Sequence, residues 1–266
     1  MDKSKIARVL TIAGSDCSGG AGVEADIKTI TALGGYGCAT YTGLTAQNTL
    51  GVQDVHPVPA EFVALCMRMV LSDIGVDAIK LGMLTNEKII RTVATNLPEN
   101  VPVVLDPVMV STSGATLLPD GAIAALISEL IPKAALITPN LPEAAKITGL
   151  PVETEAQRIA AGRKLLEMGA KAALVKGGHG TGTALTDLLV TPNEVVAITL
   201  PRLETRNTHG TGCTMSSAIA TSLAQGMGLE AAVRRARNYL QDAIATAPGL
   251  GAGHGPVNHL VWQAGG

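Results

Sequence analysis

The sequence predicts an α/β protein built on a mostly parallel sheet with helices on both faces. Two observations carry this expectation. Short β-branched apolar runs alternate with longer segments of helical period, and most of the runs are apolar throughout, as strands covered on both faces must be. The residues with the most chemical character gather where those runs end, which is where open parallel sheets bind ligands.

Strands are expected at 9–13, 38–44, 78–82, 103–105, 134–138 and 172–175. Residues 183–190 and 194–200 flank Thr191-Pro192-Asn193 and read as a hairpin, which makes one edge antiparallel. Helical spacing links Val23, Ile27, Ile30 and Leu33, then Phe62, Leu65, Cys66, Met69 and Val70, and then Ile89, Ile90, Val93 and Leu97. It recurs late in the chain at Val233, Ala236, Leu240, Ala243 and Ala247. No linker, low-complexity tract or internal repeat interrupts this order, so residues 1–266 read as one domain.

Composition narrows the class. With 266 residues, 47% of them hydrophobic, the chain can bury a large core. A net charge of -2 supplies no basic field for nucleic acid or an anionic membrane, and 2% aromatic residues disfavour a base-stacking surface. The polar residues 1–6 do not read as a leader, and no run of about 18 apolar residues suggests a membrane span. Cys17, Cys38, Cys66 and Cys213 form no CxxC pair and no zinc pattern. Free thiols and a cytoplasmic location are the expectation.

Five segments carry chemistry. Residues 14–22 (Gly-Ser-Asp-Cys-Ser-Gly-Gly-Ala-Gly) join the first strand to a helix. They read equally as a tight turn or as a close backbone approach to a ligand. Neither dinucleotide nor P-loop spacing is present. In the helix that follows, Asp26 falls inside the apolar arc, while Glu24 and Lys28 fall outside it. A carboxylate facing a core needs a polar ligand or a protein partner.

Asp106 precedes Pro107, and Asn140 and Glu143 lie in Thr-Pro-Asn-Leu-Pro-Glu. Glu143 alone is explained by the helix dipole. Together, Asp106 and Glu143 at neighbouring strand ends suit water-mediated Mg²⁺. Lys176-Gly177-Gly178-His179 places a cation at another strand end, suited to phosphate, and His179 reads as a loop residue. Finally, Asn207-Thr208-His209-Gly210-Thr211-Gly212-Cys213 opens a helix so apolar that it should be buried. Its N-terminus suits an anion. Cys213 reads either as a thiol made more acidic by that end or as a small buried hydrophobe.

These motifs, with Thr45-Ala46-Gln47-Asn48-Thr49, Lys80-Leu81-Gly82-Met83-Leu84 and Gly253-His254-Gly255-Pro256-Val257, resemble the hydroxymethylpyrimidine/phosphomethylpyrimidine kinases of the ribokinase-like superfamily. The resemblance runs from Thr11 to about Val257. It implies a three-layer α/β/α sandwich and two successive ATP-dependent phosphorylations on the way to thiamine diphosphate. It further implies that Gly14, Asp26, Gln47, Met83 and Val108 line a pyrimidine pocket. Lys176, Asn140, Thr208, Gly210, Thr211 and Gly212 would meet ATP, with Asp106 and Glu143 near Mg²⁺. Residues 210–213, with Lys176, would form the catalytic anion hole, and a homodimer is expected.

Cys213→Ala is expected to slow phosphorylation of the alcohol, which must lose a proton, more than that of the phosphate; equal loss would mean that Cys213 serves the anion hole. A pyridoxal kinase is the nearest alternative. A thiol hydrolase using Cys213 and His209, and a silent ligand sensor, are more distant ones.

Overall fold

The computed structural model describes residues 6–111, 114–178 and 182–261. His179 lies outside the described residues. The chain runs β1 (Arg8–Gly14), α1 (Gly22–Ala32), β2 (Tyr36–Asn48), β3 (Gly51–Pro57), α2 (Ala60–Met69), β4 (Ala78–Leu81), α3 (Glu87–Asn96) and β5 (Val103–Leu105). It continues with α4 (Asp120–Ala125), β6 (Leu136–Ile137), α5 (Leu141–Thr148), α6 (Glu155–Glu167), β7 (Ala173–Val175), β8 (Ala184–Val190), β9 (Val195–Pro201), α7 (Thr211–Ala224) and α8 (Leu229–Ala245). All nine strands form one sheet in the order β3-β2-β1-β4-β5-β6-β7-β8-β9. The six strands from β2 to β7 in that order pair in parallel, and β3, β8 and β9 are antiparallel.

The three layers follow from the strand sequences. Val9 and Leu10, Ala78 and Ile79, and Leu136 and Ile137 send successive side chains to opposite faces. One face packs Val9, Ala78 and Leu136 against Ile30 of α1, Ile219 of α7 and Tyr239 of α8. The other packs Leu10, Ile79 and Ile137 against Val63 of α2, Ile90 of α3 and Leu165 of α6. Apart from Thr11 and Lys80, the inner positions of the central strands are therefore apolar, which is what made them legible. In α7, each residue from Thr214 to Ser222 is buried, as its small apolar sequence requires.

Two elements differ from expectation. Strand β2 runs on to Asn48 and turns back into β3, giving a second antiparallel edge. No residue of β3 is buried, so its sequence carries no apolar alternation to read. In α2 the buried residues are Ala60, Val63, Ala64 and Met67. Phe62, Leu65 and Met69 of the expected stripe are 55%, 44% and 63% exposed. Among the described residues, no helix is long and apolar enough to cross a membrane.

Candidate active site

A cavity of about 660 Å³ opens at the carboxyl ends of the parallel strands. Gly14, Gln47, Met83 and Val108 line it, as do Asp106, Asn140, Glu143, Lys176, Thr208, Gly210, Thr211, Gly212 and Cys213. Each arrives from a strand end or from the helix start that follows.

At one end, Gly14 closes β1 against Met83. A Cβ at Gly14 would overlap the Met83 methyl, so the glycine makes room for a nearly buried methionine. Gln47 is brought over this end by the β2 extension. Cys17 lies against it, its thiol 3.1 Å from the Gln47 carbonyl oxygen and 3.4 Å from the Gln47 N–H.

At the other end, Asp106 is almost fully buried. Its Oδ1 accepts from Lys176 Nζ at 2.9 Å and from Thr138 Oγ1 at 3.2 Å. Asn140 and Glu143 form a reciprocal cap on α5. Asn140 Oδ1 accepts from the Glu143 N–H, and Glu143 Oε2 accepts from the Asn140 N–H, each at 2.9 Å. Burial, with Asp106 nearby, pushes the Glu143 carboxyl up to about 7 despite Lys176. Lys176 is held charged: burial works against its ammonium, but Asp106 and Glu143 more than offset that.

The start of α7 completes this end. Gly210 has φ +79°, and a Cβ there would overlap the Gly20 carbonyl oxygen. A Cβ at Gly212 would stand 3.3 Å from both Asp106 Oδ2 and Lys176 Nζ. The helix start and the cation therefore face one point, where an anion gains from both.

One expectation is corrected and one open alternative is decided. Asp26 does not line the cavity. It is fully buried below it, where Oδ1 accepts from Lys80 Nζ at 2.9 Å and Ser217 Oγ at 2.7 Å. Its Oδ2 accepts from Lys80 Nζ at 2.7 Å and Thr11 Oγ1 at 2.5 Å. The partner that a core-facing carboxylate needs is Lys80, itself fully buried. Lys80 looked like part of an apolar strand run, and only the inward position of Asp26 hinted at it.

The Cys213 thiol is not made acidic by its helix end. Burial pushes it up to about 11, with Lys80 acting only partly against this. His209 is bonded to Asp16 at 2.7 Å, so it forms no thiol–imidazole pair with Cys213.

Sequence reading also missed the pair Arg237 and Asp187, which lines the cavity beyond Lys176. Arg237 Nε lies 3.2 Å from Asp187 Oδ2, and Asp187 Oδ1 accepts from the Gly177 N–H at 2.7 Å. Arg237 Nη1 is buried without a hydrogen-bond partner. It sits on the inner face of α8 amid apolar neighbours, where helical periodicity alone flags no polar role.

A half-buried lysine, two carboxylates and a helix start suited to an anion, facing a cavity with room for an organic acceptor, define a small-molecule kinase on an α/β/α sandwich. The chain belongs to the phosphomethylpyrimidine kinase family, whose model matches residues 16–258. It is 48% identical over 255 residues to the thiamine biosynthesis bifunctional protein ThiED of Geobacter sulfurreducens, covering 95% of this chain but 52% of that protein, so it spans about half of that relative's length. It is also 48% identical to the hydroxymethylpyrimidine/phosphomethylpyrimidine kinase of Rhizobium meliloti, covering 94% of this chain and 96% of that one. Among solved structures, the pyridoxal kinase of Staphylococcus aureus in complex with AMP-PCP and pyridoxal superposes with a TM-score of 0.90. Its identity is 33%, with 97% of this chain and 95% of that chain covered.

Proposed function

We infer that this chain, acting as one kinase unit, phosphorylates 4-amino-5-hydroxymethyl-2-methylpyrimidine and then its monophosphate, with ATP as donor, in thiamine diphosphate biosynthesis. The observation that carries this is the convergence of Lys176, Asp106, Glu143 and the α7 start on one cavity whose other end is Gly14, Gln47, Met83 and Val108.

The hydroxymethyl oxygen forms a bond to the γ-phosphorus as the bond to the departing ADP oxygen breaks, and its O–H proton passes to a transferred phosphoryl oxygen or to solvent. In a loose transition state, positioning and charge stabilisation outweigh base strength. Lys176 and the backbone N–H groups of residues 210–213 meet the charge on the phosphoryl oxygens. Asn140, Thr208 and Thr211 border the nucleotide. Gln47 hydrogen-bonds the pyrimidine edge, and Met83 and Val108 pack its faces. Asp26 acts from below by holding Lys80. Cys213 lines the anion turn as a protonated thiol.

Mg²⁺ fits the donor set. Two carboxylates with space for water and phosphate oxygens are how this ion is commonly held, and among the described residues no larger cluster of metal-binding side chains exists. Held by Asp106 and Glu143, it would offset charge on the nucleotide phosphates.

The pyridoxal kinase likeness supports a second reading, because pyridoxal also presents a hydroxymethyl group on a flat heteroaromatic ring. Identity to the pyrimidine kinases is higher, 48% against 33%. We place the enzyme in the cytoplasm as a homodimer, with the exposed Phe62, Leu65 and Met69 of α2 as the face a second copy covers. Light scattering of the purified chain tests that assembly, and a monomer at micromolar concentration contradicts it.

Incubation with MgATP and hydroxymethylpyrimidine, with mass spectrometry of the products, tests the function. Mono- and then diphosphorylated pyrimidine is expected. No phosphorylated pyrimidine in a folded preparation contradicts it.

A further inference from the structure

The cavity is built from two glycine turns that lie far apart in the chain. Residues 14–22 form the acceptor side and residues 207–213 the phosphoryl side. Each is anchored separately. The Ser15 N–H donates to the Gly43 carbonyl at 2.8 Å, and Ser15 Oγ accepts from the Thr45 N–H at 3.2 Å, which ties the first turn to β2. The His209 N–H donates to the Gly255 carbonyl at 3.1 Å, which ties the second to the segment after α8.

A buried side-chain bond between two polar groups crosses between the turns, His209 Nε2 to Asp16 Oδ2 at 2.7 Å, spanning 193 residues; beside it the Gly22 N–H donates to the Cys213 thiol. Asp16 is fully buried and His209 is 6% exposed. The Asp16 carboxylate also accepts from the Ser18 N–H (2.8 Å), Ser18 Oγ (2.7 Å), the Gly20 N–H (3.0 Å) and the Ala21 N–H (2.8 Å). It thus organises the whole first turn, and His209 donates to it from outside that turn. Burial alone would raise the Asp16 carboxyl, but hydrogen bonds from His209 and Ser18 hold it well below the usual carboxylate range. An ionised carboxylate only accepts, so Nε2 carries the proton.

We propose that His209 is a positioning residue that latches the acceptor turn to the anion turn through Asp16, setting the distance between the attacking oxygen and the phosphoryl group. The proposal rests on the kinase reading. The imidazole has no part in proton transfer. Its effect is geometric, and small misplacement of reacting groups is enough to slow transfer strongly.

The variants His209→Ala and His209→Gln test this on whichever acceptor the wild-type enzyme phosphorylates. Pyridoxal turnover would therefore revise the proposed function and leave the latch open to judgement. For His209→Ala, kcat is expected to fall roughly ten- to a hundredfold in both phosphorylation steps, with KM for acceptor and nucleotide nearly unchanged. Glutamine, whose amide can reach Asp16, is expected to restore most of the rate.

An unchanged kcat in folded His209→Ala overturns the latch. So does a loss seen only in KM, or one confined to the alcohol step and not rescued by glutamine. Should His209→Ala fail to fold, the wild-type protein still decides. The His209 Nε2–H, assigned by its absence in His209→Gln, is expected to exchange slowly with water by NMR, and rapid exchange overturns the proposal.

Discussion

The Lys176 ammonium lies 2.9 Å from Asp106 Oδ1, and both face the place where a side chain on Gly212 would stand. On the proposed reading, a cation and a carboxylate so placed hold each other in position, and nucleotide phosphates and Mg²⁺ would divide them. Lys176→Met should lower kcat on the order of 10²- to 10³-fold, the loss typical of removing one charge-stabilising group. KM for the pyrimidine should change little. Steady-state kinetics checks this, and a loss below about threefold would remove Lys176 from the phosphoryl site.

Asp26 and Lys80 are both fully exchanged out of water. Removing one partner strands the other charge, so Asp26→Leu or Lys80→Met should each cost about 3–5 kcal/mol, and the double replacement should recover much of it. Urea unfolding measures this. A ligand role for Asp26 requires the opposite pattern, with stability retained and pyrimidine KM raised.

Cys213, pushed up to about 11, is a thiol at neutral pH. Alkylation by iodoacetamide should be slow at pH 7.5 and rise steeply above pH 10, because the thiolate is the nucleophile. Cys213→Ala should slow the alcohol and phosphate steps by factors within about threefold of each other. A loss concentrated in the alcohol step would restore Cys213 as the proton acceptor.

Glu143 is raised from 4.5 to about 7 by burial and by Asp106. In the metal-free protein the folded state therefore binds more protons than the unfolded chain between those values. Its contribution to stability is fully present below pH 4.5 and is lost as pH rises through 7. Glu143→Gln lacks this dependence, so it should gain stability relative to wild type from pH 5 to pH 8. Urea unfolding at the two pH values checks the sign, and a constant difference would mean Glu143 is ionised throughout.

Most of the architecture is legible because the central strands are apolar on both faces and the chemically distinctive residues sit at their carboxyl ends. Strand β3 is not, because it buries nothing. Helix α2 is legible as a helix but not by its face, since small Ala60, Val63 and Ala64 pack inward while Phe62 and Leu65 face out. The cavity residues announced themselves through glycine turns and strand-end polar groups. Lys80, Asp187 and Arg237 did not, because a polar residue inside an apolar pattern reveals its partner only in three dimensions. The inward carboxylate of Asp26 was readable, but whether it served a ligand or a lysine was not.

The central claim is the identity of the acceptor. The most direct measurement is kcat/KM for hydroxymethylpyrimidine, its monophosphate and pyridoxal, determined side by side with MgATP. Turnover of both pyrimidines, with a clear preference for them over pyridoxal, is expected. Turnover of pyridoxal with neither pyrimidine phosphorylated would contradict it, leaving the phosphate machinery in place and overturning the assignment of Gln47 and Met83.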